Sequence, residues 1–436
     1  MSFRSFLKAW NDFWFAPQSP TPIALYRILA GLCVLASGVT FGRDLLLWFG
    51  NRGVLSHKTA LQIYPPPHIN LIAFFPPQDG FVIAFYVFFM IAAFTLTIGL
   101  FTRASSIIVY AGLLSFFHRN LILWDGGDFL LYMGLFFLMF SEAGAAMSVD
   151  RLWQIMRGKE TGPPPAKSPW AQRLIQFQMA MLYFVTTNNK LAVDIWSNGT
   201  AIFYTSRIEK IQRFTVPYVF EHLWSLKFMT YATLVIEGAL GTLVWFYECR
   251  YIVLAFGVLL HLGIEWTMNV SVFSWVMLST YATFIEPQHL RLVMDKIRAY
   301  VARRYGKPVP VFYDGSCEAC VRTARLIGAV NILHRVTLVD FRSPQELEAQ
   351  AGWGQEQAKR AESELLIRLS NEWWLGGFDA FRWMAWRLPL LWPIAPFLHL
   401  PGAIGLGRPV YAWIAKNRYR FLGVHCAGAA CSAAGR

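Results

Sequence analysis

Between Ile23 and Pro287 apolar residues run in long, nearly unbroken blocks, and polar residues gather in the short gaps between them. A helix that crosses a bilayer needs about 20 predominantly apolar residues. Blocks at about 23–41, 81–101, 104–122, 128–147, 171–190, 228–247, 251–268 and 270–286 approach that length and predict about eight spans. The stretch 194–226 is apolar but broken, and reads as a loop or a segment lining a cavity. Beyond Gln288 the pattern changes to alternating strand-like and helix-like stretches of mixed polarity. The pattern therefore divides the chain into a multi-pass α-helical membrane domain and a C-terminal α/β domain.

Smaller segments complete the division. In residues 1–15, Phe3, Phe6, Leu7, Trp10, Phe13 and Trp14 recur at helical spacing with Arg4, Lys8 and Asp12 between them. No apolar core or small-residue cleavage site marks a signal peptide, so an amphipathic interfacial helix is expected over 1–20. The membrane domain then spans 21–290, a basic juxtamembrane helix 291–307, and the α/β domain 308–436. The prolines and glycines between Leu388 and Ile414 break an apolar run into packed pieces near the membrane, not a ninth span.

Composition agrees. Of 436 residues, 56% are hydrophobic and 15% charged, against roughly a quarter charged in soluble domains. That excludes an ordinary soluble enzyme, a disordered chain and a coiled coil. The net charge of +13 falls largely in the loop after Asp150 and in the helix after Arg291. Basic residues flank spans on the inner side, so the charge is a topology signal and nucleic acid is not an expected partner. An even number of spans with the basic excess on the side of both ends predicts a cytoplasmic C-terminal domain.

Ionisable groups inside spans cost about 2.5–3.5 kcal/mol each at mid-membrane and need a reason. Glu237 sits near the middle of its block. His261 and Glu265, four apart, share a helix face; a carboxylate there can set the histidine tautomer, and a structural polar cluster between helices is the alternative. Lys190 lies near the far end of its helix. It is either a snorkelling lysine or, if desolvated, a base, with Trp196, Asn188, Asn189 and Asn198 as neighbours. Glu237 and His261 would also suit a transporter, but no inverted repeat accompanies them.

The segment Gln178-Met-Ala-Met-Leu-Tyr-Phe-Val-Thr-Thr-Asn-Asn-Lys-Leu191, followed by Trp196-Ser-Asn-Gly199, resembles the motif around the catalytic lysine of vitamin K-dependent γ-glutamyl carboxylase and of the wider HTTM family. Leu259-Leu-His-Leu-Gly-Ile264, Phe273-Ser-Trp-Val-Met-Leu278, Trp124-Asp-Gly-Gly-Asp128 and Ser148-Val-Asp150 are similar to further blocks of that family. The resemblance covers about residues 15–290. It implies that Lys190 is a base acting on a quinol, that His261 lines the site, and that a quinone or quinol is the cofactor, with Trp196, Glu237 and Glu265 as candidate contacts. Where the carboxylase carries Asn-Asn-His after the tryptophan, this chain has Asp125-Gly-Gly127, a departure that argues against glutamate carboxylation.

The C-terminal domain carries a second motif. Val309-Pro-Val-Phe-Tyr313 reads as a buried strand, Asp314-Gly-Ser316 as a tight turn, and Cys317-Glu-Ala-Cys320 as the start of a helix. A strand leading into C-x-x-C at a helix start is the thioredoxin-like arrangement. Unpaired N–H groups there stabilise a thiolate, and the two-residue gap lets one thiol resolve a disulfide formed by the other. Glu318 opposes the thiolate and Arg322 and Arg325 offset it. Four thiols, Cys317, Cys320, Cys426 and Cys431, could instead hold zinc, but the spacing of the second pair is unusual and no metal is expected. Cys33 and Cys249 lie in or beside spans and read as inert.

The turn Tyr313-Asp-Gly-Ser-Cys-Glu-Ala-Cys320, with Gly377-Phe-Asp-Ala380 and Tyr411-Ala-Trp-Ile-Ala-Lys-Asn-Arg-Tyr-Arg420, resembles the DCC family of thiol-disulfide oxidoreductase-like proteins. The resemblance implies a thioredoxin-like fold, Cys317 as attacking thiol and Cys320 as resolving thiol. The two-domain fusion is mainly bacterial, which implies an inner membrane. Two readings follow. One is a membrane oxidoreductase joining quinol-linked chemistry to a redox-active dithiol, with the bilayer and a thiol reductant or peptide substrate as partners. The other is a membrane-anchored thiol protein, or a lipid- or partner-binding module, with no chemistry in the membrane part.

Overall fold

The computed structural model describes residues 2–63, 70–214, 216–348, 350, 352–369 and 373–422. They form two compact units, one within Met1–Asp150 and Pro163–Pro287, the other within Arg151–Gly162 and Gln288–Arg436.

The first unit is helical. An entry helix α1 (Phe3–Phe15) is capped by Ser2, whose hydroxyl accepts from Ser5 N–H at 3.2 Å. It leaves Phe3, Phe6, Leu7 and Trp10 exposed, as an interfacial helix does. The apolar blocks follow as α2 (Thr21–Gly42), α3 (Asp79–Ile98), α4 (Thr102–Arg119), α5 (Gly126–Leu138), α6 (Trp170–Leu191), α7 (Leu223–Thr242), α8 (Tyr247–Thr267) and α9 (Phe273–Tyr281). Among the described residues, α2, α3, α7 (counted on to Trp245) and α8 are long and apolar enough to cross a membrane. The expected eight crossings are thus not eight equal helices. With nine residues, α9 reaches about 14 Å at 1.5 Å per residue, about half a hydrocarbon core, and its block is completed by a 3-10 turn at Ala282–Phe284. The outward face of α3 shows Ile83, Val87, Phe88, Ile91 and Phe94. Such a continuous apolar face is stable only where lipid replaces water.

The inside of this unit is an aromatic and aliphatic core that includes Tyr26, Phe49, Phe89, Leu96, Phe116 and Leu131. Phe116 stacks edge-on against Phe49 with ring centroids 4.9 Å apart. Two of the sequence blocks prove to be caps. Asp125 accepts from Gly127 and Asp128 N–H at the start of α5 while Asp128 accepts from Asp125 N–H, a reciprocal capping box. A Cβ on Gly127 would stand 2.8 Å from Phe273 Cα, so this glycine permits α5 to touch α9. Asp150 accepts from Phe101 N–H at 2.8 Å and from Thr102 N–H and Oγ1 at 2.7 Å, closing the exposed start of α4.

Several cations beside the apolar blocks are engaged internally. Arg119 is buried and donates to the carbonyls of Phe49, Gly50 and Leu55. Arg250 pairs with Glu286 at 2.7 Å. In the second unit Arg151 is bound to Glu160 at 3.0 Å and to Gly162 O at 2.8 Å. Charges held this way serve packing and are weak topology signals.

The second unit begins with Arg151–Gly162, whose Leu152 packs on its core, and continues through α10 (Pro287–Tyr305). Its sheet has strands β1 (Val309–Tyr313), β2 (Val336–Asp340), β3 (Leu366–Arg368) and β4 (Trp374–Gly376) in the order β2-β1-β3-β4. β1 and β2 are parallel and joined by the crossover helix α11 (Glu318–Val330); β3 and β4 are antiparallel to their neighbours. Successive residues of β1 serve opposite faces. Val311 joins Ile327, Ile367 and Met384 on one side, and Phe312 joins Leu366, Trp353 and Trp374 on the other. Helices α12 (Gly377–Arg387) and α13 (Ala403–Leu422) complete the unit. This is the expected thioredoxin-like α/β layer. The apolar run after Leu388 forms short turns and α13, with Pro409 inside the helix, and none of it ranks among the candidate spans of the described residues.

Candidate functional site

Two constellations carry chemistry, one in each unit. In the first, α6 and α7 approach closely because Gly241 leaves no room for a side chain; a Cβ there would sit 2.8 Å from Phe184 N. That contact turns Glu237, five residues before the end of α7, towards Lys190 in the last turn of α6. Lys190 Nζ lies 2.5 and 2.6 Å from the two carboxylate oxygens of Glu237 and 4.6 Å from the centre of the Trp196 ring. The side chains are 25% and 10% exposed, so the ion pair is largely out of water. It forms part of the wall of a cavity of about 350 Å³ otherwise lined mainly by apolar groups, among them Phe220, Met229, Ile236, Leu260 and Ile264.

His261 is buried beside this wall but does not line it. Its Nε2 is 2.6 Å from the Tyr183 hydroxyl, which is 2.7 Å from the Tyr281 hydroxyl. Gly257, one turn earlier, makes room for Tyr281; a Cβ would meet its hydroxyl at 2.6 Å. The shared face of His261 and Glu265 does not produce a His–carboxylate pair. Glu265 instead binds Arg213 at 3.0 Å and also stands outside the cavity lining. The cavity faces the α8 positions Leu260, Gly263, Ile264 and Thr267, rotated from 261 and 265 by about 100° per residue. Asn188 donates to Phe184 O and Asn198 accepts from Thr200 N–H and Oγ1, while Trp196 is the expected neighbour that stands against Lys190.

In the second unit, Cys317 is the N-cap of α11 and its Sγ accepts from Cys320 N–H at 3.4 Å. Both are thiols, not a disulfide. Glu318 is drawn off by Arg322 at 2.7 Å. The preceding turn is built by carboxylates. Asp314, buried, accepts from Ser316 N–H and Oγ and from Arg342 Nε, while Gly315 N–H donates to Asp340. A Cβ at Gly315 would fall inside the Asp340 carboxylate. Burial, with Asp340 and Glu346 nearby, raises the Tyr313 phenol above its ordinary value.

Cys317, the expected attacking thiol, is completely buried, whereas Cys320 is half-buried. Cys320 lines a cleft of about 90 Å³ with Asp314, Thr323, Glu364 and Tyr411. Tyr411 on α13 accepts from Leu365 N–H at 2.9 Å, and Gly377, at φ +57°, lies under its ring. Thus the blocks at 313–320 and 411–420 meet in one cleft, and the block at 377–380 reaches it only through the packing of Gly377 against Tyr411. Cys426 and Cys431, invoked for zinc, lie outside the described residues; among the described ones no three His, Cys, Asp or Glu side chains gather.

Residues 15–289 match the family model of the HTTM domain. The chain belongs to the HTTM family. Residues 311–424 match a second family, the DCC1-like thiol-disulfide oxidoreductases. No solved structure matches the chain. The protein is therefore a fusion of an HTTM membrane domain with a DCC1-like redox domain. Within the HTTM domain, sequence reasoning missed Tyr183 and Tyr281. Tyr183 lies seven residues before Lys190, two turns along the same helix face, and that spacing could have found it; nothing local marked Tyr281.

Proposed function

We propose that this fusion is an integral membrane oxidoreductase in which Lys190 and Glu237 form the base for quinol-linked chemistry and the Cys317–Cys320 dithiol supplies reducing equivalents. The observation that supports it is the single ion pair in the wall of an otherwise largely apolar cavity. The residues fit a quinol headgroup: mainly apolar walls for a ring, Trp196 for stacking, and the ion pair as a charged locus for a hydroxyl. When bound, a quinol would supply an acidic hydroxyl and two transferable electrons. In the ion pair Lys190 is protonated and unable to act as a base. Passing that proton to Glu237 leaves a neutral amine, a transfer that costs less in a low-dielectric surround than it would in water. The amine then accepts the hydroxyl proton. His261 and Tyr183, hydrogen-bonded to each other beside the cavity, are positioning residues in this reading. Oxidation of the dithiol to a disulfide releases two electrons and two protons, the amount that returns a quinone to the quinol.

We read the C-terminal domain as cytoplasmic, where a C-x-x-C is kept reduced. Export-active reporters fused at both Gly162 and Gly306 would contradict that. For the chemistry, the test is quinone reduction by a dithiol donor in vesicles containing the whole chain. Lys190→Ala and Cys317→Ser should each abolish it, and undiminished turnover in both rejects the reading. The alternative, a membrane-anchored thiol protein, draws support from Lys190 standing at a helix end with its charge already matched. It predicts a dithiol potential indifferent to added quinone.

A further inference from the structure

The burial of the two thiols does not follow the order of the motif. Cys317 has no exposed surface, while Cys320, on the first turn of α11, borders the cleft. Glu364, Tyr411 and Ala415, which line that cleft, also border a wider groove of about 580 Å³ that runs past Gly377 to Arg408. An incoming disulfide therefore has a path to Cys320 and none to Cys317. Nucleophilic attack needs the attacking sulfur within contact and in line with the disulfide, which an enclosed sulfur cannot achieve from outside. Cys317 does have what a resolving thiol needs: its Sγ accepts the Cys320 N–H, at a helix start that favours thiolate, one turn from Cys320.

We propose that Cys320 attacks the substrate disulfide and Cys317 resolves it, the reverse of the order the motif suggests. This rests on the thiol-disulfide reading above and deepens it. In the first step the Cys320 thiolate bonds to one sulfur of the substrate disulfide, whose S–S bond breaks and whose other sulfur leaves as a thiolate. In the second, the Cys317 thiolate attacks Cys320 Sγ, the mixed disulfide breaks, and the second substrate sulfur leaves. Two electrons pass to the substrate and the Cys317–Cys320 disulfide remains.

The test uses the whole chain in detergent, reduced and then mixed with glutathione disulfide, with adducts located by peptide mass mapping. Cys317→Ser should accumulate a stable mixed disulfide on Cys320, and Cys320→Ser should form an adduct on Cys317 at least tenfold more slowly. Because a variant can disturb the helix start, wild-type protein is also pulsed with iodoacetamide, which should modify Cys320 before Cys317. An adduct forming faster on Cys317, or earlier alkylation of Cys317, overturns the order and leaves the thiol-disulfide reading standing. No adduct on either variant overturns both.

Discussion

Lys190 Nζ contacts both carboxylate oxygens of Glu237, at 2.5 and 2.6 Å, across the α6–α7 interface. The two residues are 47 apart in sequence, and each would be costly alone in an apolar surround. Paired, they close a charge balance that neither helix could close by itself. Removing one partner of a buried pair typically costs about 3–5 kcal/mol, whereas removing both is much milder.

Glu237→Gln should therefore lower the thermal midpoint of the detergent-solubilised protein clearly, and Lys190→Met by a similar amount. The Trp196 ring retains about 2 kcal/mol of cation–π attraction for a Lys190 left unpaired. The double variant Glu237→Gln/Lys190→Met should lose less than the sum of the two. Additive losses would show that the pair is not coupled.

The buried His261–Tyr183–Tyr281 chain makes an ordered prediction. Tyr183 is its centre, so Tyr183→Phe leaves both His261 Nε2 and the Tyr281 hydroxyl without this bond. Tyr281→Phe leaves the Tyr183–His261 bond in place. At about 1–3 kcal/mol for each buried group left unsatisfied, Tyr183→Phe should be the more destabilising. Equal melting points for the two variants would remove Tyr183 from its central role.

How much of this was visible beforehand differs by residue. The apolar blocks and the Asp314-Gly-Ser-Cys turn are local, and periodicity and turn chemistry report them. The partner of Lys190 is not local: it depends on which helix Gly241 admits against Phe184, a contact no pattern along one helix contains. The same reason explains why His261 and Glu265, on one helix face, do not pair with each other. Four-residue spacing puts two groups on one face, but the neighbours Tyr183 and Arg213 come from other segments and compete successfully. The capping roles of Asp125 and Asp150 likewise show that blocks shared with a family can be structural.

Gly315 tests the redox turn. Its N–H is tied to Asp340, and the space a side chain would need is filled by that carboxylate. Gly315→Ala must break that bond or move β2, with strain of about 1–3 kcal/mol. The expected outcome is faster alkylation of Cys317, measured by mass mapping, with the helical circular dichroism of the whole chain retained. An unchanged rate would mean that the turn does not hold the thiol enclosed.

Gly263 separates the cavity from the rest of the membrane domain. It lines the cavity, and a Cβ added there meets nothing within 4 Å. Gly263→Leu should thus enter free space, and in a helix interior the exchange gains up to about 1 kcal/mol of propensity. The melting point should hold or rise, and the Lys190–Glu237 pair should persist. What the leucine takes away is volume in the cavity where a quinol ring would lie. A soluble quinone analogue should raise the melting point of the wild type and fail to raise that of Gly263→Leu, because stabilisation by a ligand requires that it bind the folded form. An equal shift in both would detach quinone binding from this cavity, and with it the role assigned to Lys190.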